Sequence, residues 1–392
     1  MLSSSGRARV LSMDNRTKGT TTPGFSITCQ ACGARLPSDE WTWRHACGGT
    51  LQLDVDVDAA RVNASRSSTV RGLARFAPVL PLRHTPPTPI GDTPLSLEVV
   101  EGVRVAFKLD YLNPCGSFKD RGAYVTVARL AELGFNSLVI DSSGNAGVAT
   151  ACMGRRLGLR VDVFLPSSTP EGKKRLLRLL GAGLHEVEGD RMAVHAAALA
   201  ATRGKAAYAG HWWQPYFAHG VKTMAYEVIE VLGRINMVFA PVGAGTVLLG
   251  LHRGFTELRS AGLMANMPRL VAAQAEGYAP VCADLGVAPE YDEPSHLADA
   301  IAIADPPRRR EMARVVRETG GFGVVVSDLE IEAVLSWLTD RGYIVEPTSA
   351  VPVAAFFKAL GDGSVTPGTT VLIPLTGTGM KVLDELVHIA GT

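Results

Sequence analysis

The chain has 392 residues, 46% hydrophobic and 20% charged, which suits a large packed core and is too apolar for a disordered chain. Its 39 basic and 38 acidic residues leave a net charge of +1, which excludes the clustered positive surface of a nucleic-acid or anionic-membrane binder. No apolar run is long enough to cross a bilayer as a helix. Residues 1–24 are polar and rich in Gly and Ser, lack the apolar stretch of a secretory signal, and are expected as a disordered tail in which Met13 is an alternative start. Residues 25–54 form a ribbon-like segment carrying Cys29-x-x-Cys32 and His45-x-Cys47-Gly-Gly. Three sulfurs and one imidazole nitrogen at this spacing suit a closed, structural zinc site. The alternatives are free thiols or a nucleic-acid-binding ribbon, and the neutral charge speaks against the latter. Residues 55–88, rich in Ser, Arg and Pro, are expected as a linker. The six cysteines are too few and scattered for a disulfide scaffold, which points to a reducing, cytoplasmic setting.

From about residue 97 strands alternate with helices. "GVRVAFKLD" reads as a strand and "DRGAYVTVARLAELG" as a helix closed by Gly134. "SLVID" is a short buried strand, broken by "SSGNAG" and followed by the helix "VATACMGRRLG" with Gly158 as its stop. "LRVDVFLP" and "LHEVEG" are strands flanking a helix that starts near Pro170 and ends near Gly181. "RMAVHAAALAATRG" is a helix. "INMVFAPVGAGT", "LVAAQAEG", "GFGVVVSD" and "TTVLIPLTGTG" are apolar strands ending in turns. Ser327 and Glu330 form a capping box at the head of another helix. This rhythm predicts an α/β chain with parallel sheets covered on both faces.

Ligands in such folds sit beyond the carboxyl ends of the strands, and four loops of small polar residues lie there. In "PVGAGTVLLG", Gly243 and Gly245 let backbone N–H groups and a helix N-terminus approach a phosphate. Leu248 breaks the glycine spacing of a dinucleotide fingerprint, and a tight turn without ligand is the competing reading. In "DSSGNAG", Ser142, Ser143 and Asn145 offer groups suited to a carboxylate, or merely cap a helix. "PLTGTGMK" presents Thr376 and Thr378. "LNPCGSFKDRG" presents Lys119 on a turn between strand and helix, where burial would favour the neutral, nucleophilic amine. A phosphate cradle, an amide, a neutral hydroxyl and one lysine together suit pyridoxal phosphate.

The ordered strings "NPCGSFKDRG", "SSGNAG", "VGAGT", "VAAQAEG", "GYIVEPTSA" and "LTGTGMK", spanning about residues 85–385, resemble fold type II pyridoxal-phosphate enzymes, most closely the threonine synthase family, including cysteate synthase. The resemblance implies a tryptophan-synthase-β-like fold of two parallel-sheet α/β domains, a large one from 89–122 and 215–392 and a small one from 123–214. It implies that Lys119 holds pyridoxal 5'-phosphate as a Schiff base and then takes the substrate Cα proton. Asn145 would bond the ring oxygen, Gly243, Ala244, Gly245 and Thr246 would wrap the phosphate, and Thr376 would face the ring nitrogen. Ser142 and Ser143 would hold the substrate carboxylate. A hydroxyl at Thr376 cannot keep the ring nitrogen protonated, which favours elimination with replacement over transamination. Family members are commonly homodimers acting on small amino acids.

The chain departs from threonine synthase at the substrate end. Cys115 and Ala146 stand where the family has Thr, Thr378 replaces a His, and Phe217 occupies the place of a phosphate-binding Arg. An Arg fork is not replaceable by Phe, so a different activated amino acid is expected, with Ala146 and Phe217 shaping its pocket and His211, Trp212, Trp213 and His219 nearby. The expected activity is β- or γ-elimination and replacement. The alternatives are cysteate-synthase-like β-replacement, a serine or threonine dehydratase, or a non-catalytic amino-acid sensor on the same fold.

Overall fold

The computed structural model describes residues 24–202, 206–288 and 294–389. The expected N-terminal tail, save for Gly24, lies outside the described residues. In chain order the strands are β1 (Phe25–Cys29), β2 (Arg35–Leu36), β3 (Leu51–Val55), β4 (Leu95–Val100), β5 (Val103–Leu109), β6 (Ser137–Ile140), β7 (Arg160–Pro166), β8 (Gly183–Val187), β9 (Ala206–Tyr208), β10 (Met237–Pro241), β11 (Arg269–Ala275), β12 (Gly323–Val326) and β13 (Thr370–Leu375). They make three sheets: a small antiparallel ribbon β2-β1-β3, a six-stranded sheet β12-β11-β10-β13-β5-β4 and a four-stranded sheet β8-β7-β6-β9. All pairings in the last two are parallel except β4 with β5.

The central strands are continuous apolar runs because helices cover both faces. Every residue of β10 and β13 is buried. Along β5 the pleat sorts side chains between two cores: Val103, Val105 and Phe107 pack with Phe239 and Phe356, and Ala106 faces the opposite side. The hairpin joining β4 to β5 turns through Glu101 (φ 49°) and Gly102 (φ 79°), the paired positive φ of a two-residue type I′ loop. Helix ends match the sequence signals. Gly158 (φ 74°) closes the helix Asn145–Leu157, and the Ser327–Glu330 capping box is formed at the head of Asp328–Thr339.

The stretch 55–88 is not a bare linker. Ala59–Arg66 is helical, Gly72–Val79 is a 3-10 turn, and Leu73, Phe76, Val79 and Leu80 are fully buried. Ser, Arg and Pro are frequent in it, yet these apolar side chains dock it on the core. The Gly72 N–H donates to Asp92 Oδ2 at 2.7 Å and fixes its end.

Behind the β5 loop lies a buried ionic network. Arg121 is completely buried and bonds Asp110 through Nε (2.7 Å) and Glu227 through Nη1 (2.6 Å), while Lys108 Nζ pairs with Glu227 at 2.6 Å. Arg121 sits in the first turn of the helix Lys119–Glu132, so this network pins the point where Lys119 leaves the backbone. Asp120 Oδ2 accepts from the Cys115 N–H at 2.7 Å and braces the loop from the other side.

Candidate active site

The carboxyl ends of β5, β6, β10 and β13 open on one cavity of about 640 Å³, lined by Lys119, Ser142, Ser143, Asn145, Gly243–Thr246 and Thr376 among others. Lys119 is the first residue of its helix and half-buried, with its Nζ 4.6 Å from the Phe118 ring centroid and 5.8 Å from that of Phe217. Burial brings its pKa down to about 7, Arg191 adds to the effect, and Glu346 opposes it. Neutral amine is therefore abundant near pH 7.

The loop before Lys119 is strapped to the β13 loop. The Phe118 N–H donates to Thr376 O at 2.9 Å and the Thr378 N–H to Gly116 O at 3.0 Å. Gly116 (φ 72°) has no room for a side chain, since a Cβ there would sit 2.6 Å from Thr378 Cγ2. Thr376 is buried beside Ser349, whose Oγ lies 3.2 Å from Thr376 Oγ1 and accepts from the Thr376 N–H at 3.0 Å. Thr378 stands outside the cavity lining and its Oγ1 accepts from the Met380 N–H.

Asn145 begins the helix Asn145–Leu157. Its Nδ2 donates to Glu346 Oε1 and Oε2, both at 2.9 Å, and its Oδ1 accepts from Lys381 Nζ at 2.6 Å. Burial pushes the Glu346 carboxyl up, while Asn145, Lys381, Lys173 and Lys119 pull against that rise. The N-terminus of this helix closes tightly on Ser142, because a Cβ on Gly147 would lie 1.8 Å from Ser142 O. Gly245 (φ 79°) leads into the helix Thr246–Ser260, and a Cβ there would meet Met312 Sδ at 2.1 Å. On Gly243 it would meet Ile301 Cα at 2.8 Å. The backbone can take this path only without side chains, and the first N–H groups of the helix have no intrahelical acceptor.

Ala146 is buried and lines the cavity. Phe217 is buried too, but it is not among the cavity-lining residues: it packs against Gly122 and lies 5.6 Å from the His211 ring. His211 and Trp212 do face the cavity, whereas Trp213 packs edge-on against Trp43 and buried His219 donates from Nε2 to Leu53 O at 2.9 Å. Sequence reasoning missed Glu346, Ser349, Lys381 and Arg191. Glu346 and Ser349 lie in "GYIVEPTSA" and Lys381 ends "LTGTGMK", so three of the four stand inside motifs that signalled the site without being singled out, whereas Arg191 lies in none of them.

In the ribbon, one ligand atom from each of Cys29, Cys32, His45 and Cys47 lies within 4.8 Å of the others. The separations include 3.5 Å for Cys29–Cys47, 3.7 Å for Cys47–Cys32 and 3.0 Å for His45 Nδ1–Cys47. A tetrahedral site with bonds of about 2.3 Å has sulfur–sulfur edges near ~3.8 Å, so the donor set and spacing fit zinc.

Residues 87–377 match the family described as "Pyridoxal-phosphate dependent enzyme". The chain belongs to this family. It is similar to threonine synthase of Methanosarcina acetivorans (29% identity, covering 93% of this chain and 94% of that protein) and of Synechocystis sp. (31%, 82% and 86%). As a pyridoxal-phosphate-dependent, threonine-synthase-like chain it is an enzyme of the lyase or synthase type. Its fold resembles the processed threonine deaminase isoform 2 of Solanum lycopersicum (TM-score 0.65, 23% identity, 76% and 83% covered) and an L-serine ammonia-lyase of Rhizomucor miehei (0.66, 20%, 77% and 98%). The residues present fit the cofactor: Gly243 and Gly245 leave a cradle that a Cβ would fill, and Lys119, Asn145 and Thr376 share its cavity.

Proposed function

We propose that this enzyme carries out β- or γ-elimination followed by replacement on an activated amino acid, a phospho-amino acid or an analogue of one, with Lys119 as the covalent anchor of pyridoxal phosphate. The observation that carries the reading is a half-buried lysine, its pKa brought down to about 7, in the same cavity as a glycine loop that excludes side chains. Gly243, Ala244, Gly245 and Thr246 hold the phosphate with backbone N–H groups at a helix N-terminus. Asn145, held between Glu346 and Lys381, would bond the ring oxygen, and Thr376 would stand towards the ring nitrogen. The cofactor supplies an electron-withdrawing ring that stabilises negative charge at the substrate Cα.

The remaining chemistry belongs to the protein. Ser142, Ser143 and the backbone at the N-terminus of Asn145–Leu157 hold the substrate carboxylate. Lys119, its amine freed when the substrate's amino group takes its place on the cofactor, would take the proton from Cα. Thr376 and Ser349 are both uncharged hydroxyls, so neither donates a full proton to the ring, and elimination is favoured over transamination. In the ribbon, Cys29, Cys32, His45 and Cys47 would hold one structural zinc ion, leaving no open position for catalysis. The few, scattered cysteines support a cytoplasmic setting, and the family resemblance supports a homodimer.

Loading the purified protein with pyridoxal phosphate should give a visible absorption band that Lys119→Ala abolishes. O-phosphohomoserine, O-phosphoserine and threonine, supplied separately, should release phosphate, capture added sulfite or yield a ketoacid according to the true reaction. A protein that stays colourless and takes up no cofactor contradicts the reading.

A further inference from the structure

Arg191 is a cation of the cavity that the proposed chemistry does not use. It opens the helix Arg191–Ala200 and lines the same cavity as Lys119. Its guanidinium lies over the Trp212 ring, 3.9 Å from the centroid, and among the described residues makes no ion pair or hydrogen bond. The other cations are engaged. Lys173 pairs with Asp299 at 3.4 Å, and Lys381 donates to Asn145.

The acidic groups that Arg191 senses are committed elsewhere. Asp141 Oδ2 bonds His195 Nδ1 at 2.7 Å, and its Oδ1 accepts from the Tyr208 hydroxyl at 2.9 Å. Asp299 is the partner of Lys173. His211, within electrostatic reach of both Lys119 and Arg191, is held neutral by burial and adds no charge. Arg191 is exposed at the cavity, and a guanidinium there with a stacking partner and no anion is a fork open to a carboxylate, sulfonate or phosphate. It lines the same cavity as Lys119, Ser142 and Ser143, on the side where Trp212 stands.

We propose that Arg191, backed by Trp212, determines specificity by binding an acidic group at the far end of the substrate side chain. This rests on the reading that the amino acid is anchored at Lys119 with its α-carboxylate at Ser142 and Ser143. The substrate then carries two acidic groups, one at each end.

The test is isothermal titration calorimetry on cofactor-loaded protein with amino acids matched in length. L-glutamate, L-homocysteate and L-2-amino-4-phosphonobutyrate are compared with neutral L-glutamine, and L-aspartate and L-cysteate with L-asparagine. At least one acidic member should bind roughly ten- to hundred-fold tighter than its neutral partner, and the tightest identifies the group. Arg191→Gln should remove that preference with little change for the neutral ligand, and Arg191→Lys should restore part of it. Retention of the cofactor's absorption band in each variant shows that the site has kept its fold. Equal affinity for acidic and neutral members in the native protein overturns the inference, whether or not Arg191→Gln folds, and so does a preference that survives in Arg191→Gln. A loaded protein without acid preference overturns this inference alone, whereas a protein that takes up no pyridoxal phosphate overturns the proposed function with it.

Discussion

Lys119 draws its reactivity from where its backbone is fixed. The helix it begins is pinned by Arg121 to Asp110 and Glu227, and the loop before it is strapped to Thr376 and Thr378. Because burial lowers its pKa to about 7, the neutral amine grows as pH rises through that value. Uptake of pyridoxal phosphate by the apoprotein should therefore accelerate with pH and level off above about 7, measured by growth of the visible band. Glu346→Gln should loosen the grip on Asn145 and weaken cofactor affinity by roughly ten-fold, an effect of about one charge-assisted hydrogen bond, read by equilibrium titration. Lys119 and Asn145 were legible because their loops announce themselves locally through Gly and Ser beside one functional side chain. Glu346 and Lys381 were not, since they stand 201 and 236 residues from the Asn145 they hold. Phe217, expected to shape the substrate pocket, packs its ring against Gly122 and within 5.8 Å of Lys119 Nζ without lining the cavity.

At the level of elements, the glycine loop after β10 places a helix N-terminus at the cavity. Gly245→Ala forces a side chain into positive φ and against Met312. It should destabilise the protein by about 1–3 kcal/mol and lower phosphate affinity, seen by chemical denaturation and by cofactor titration. The parallel strands were readable because both faces are buried, so each is a plain apolar run between turn signals. β4 was harder. It is an edge strand with Leu97 and Val99 exposed, and its pairing depends on the Glu101–Gly102 turn. The docked stretch 72–82 is itself largely apolar and buried, but it forms a 3-10 turn without strand or helix periodicity and is flanked by the Ser- and Arg-rich residues 61–71 and the Pro-containing residues 83–88. The ribbon is a separate test. Purified protein should carry about one equivalent of zinc, and Cys47→Ser should lower both metal content and the unfolding midpoint.

Across the whole molecule, the six- and four-stranded sheets meet at one cavity, and behind β5 a set of paired buried charges ties the helices Lys119–Glu132 and Thr223–Leu232 to the six-stranded sheet. Burial alone would raise the Glu227 carboxyl, but Arg121 and then Lys108 outweigh it and hold it well below the usual carboxylate range. Its contribution is thus fully present above the unfolded value of 4.5 and is lost as pH falls through the lower folded value. Glu227→Gln leaves Arg121 and Lys108 short of a buried partner and should cost about 3–5 kcal/mol, measured by urea denaturation near neutral pH.

The account turns on which side chain forms a covalent bond with the cofactor. Borohydride reduction of the loaded enzyme, followed by proteolysis and peptide mass mapping, addresses this directly. The pyridoxyl mark should fall on the peptide containing Lys119 and vanish in Lys119→Ala. A mark on any other lysine, or none at all in protein that has bound the cofactor, contradicts it.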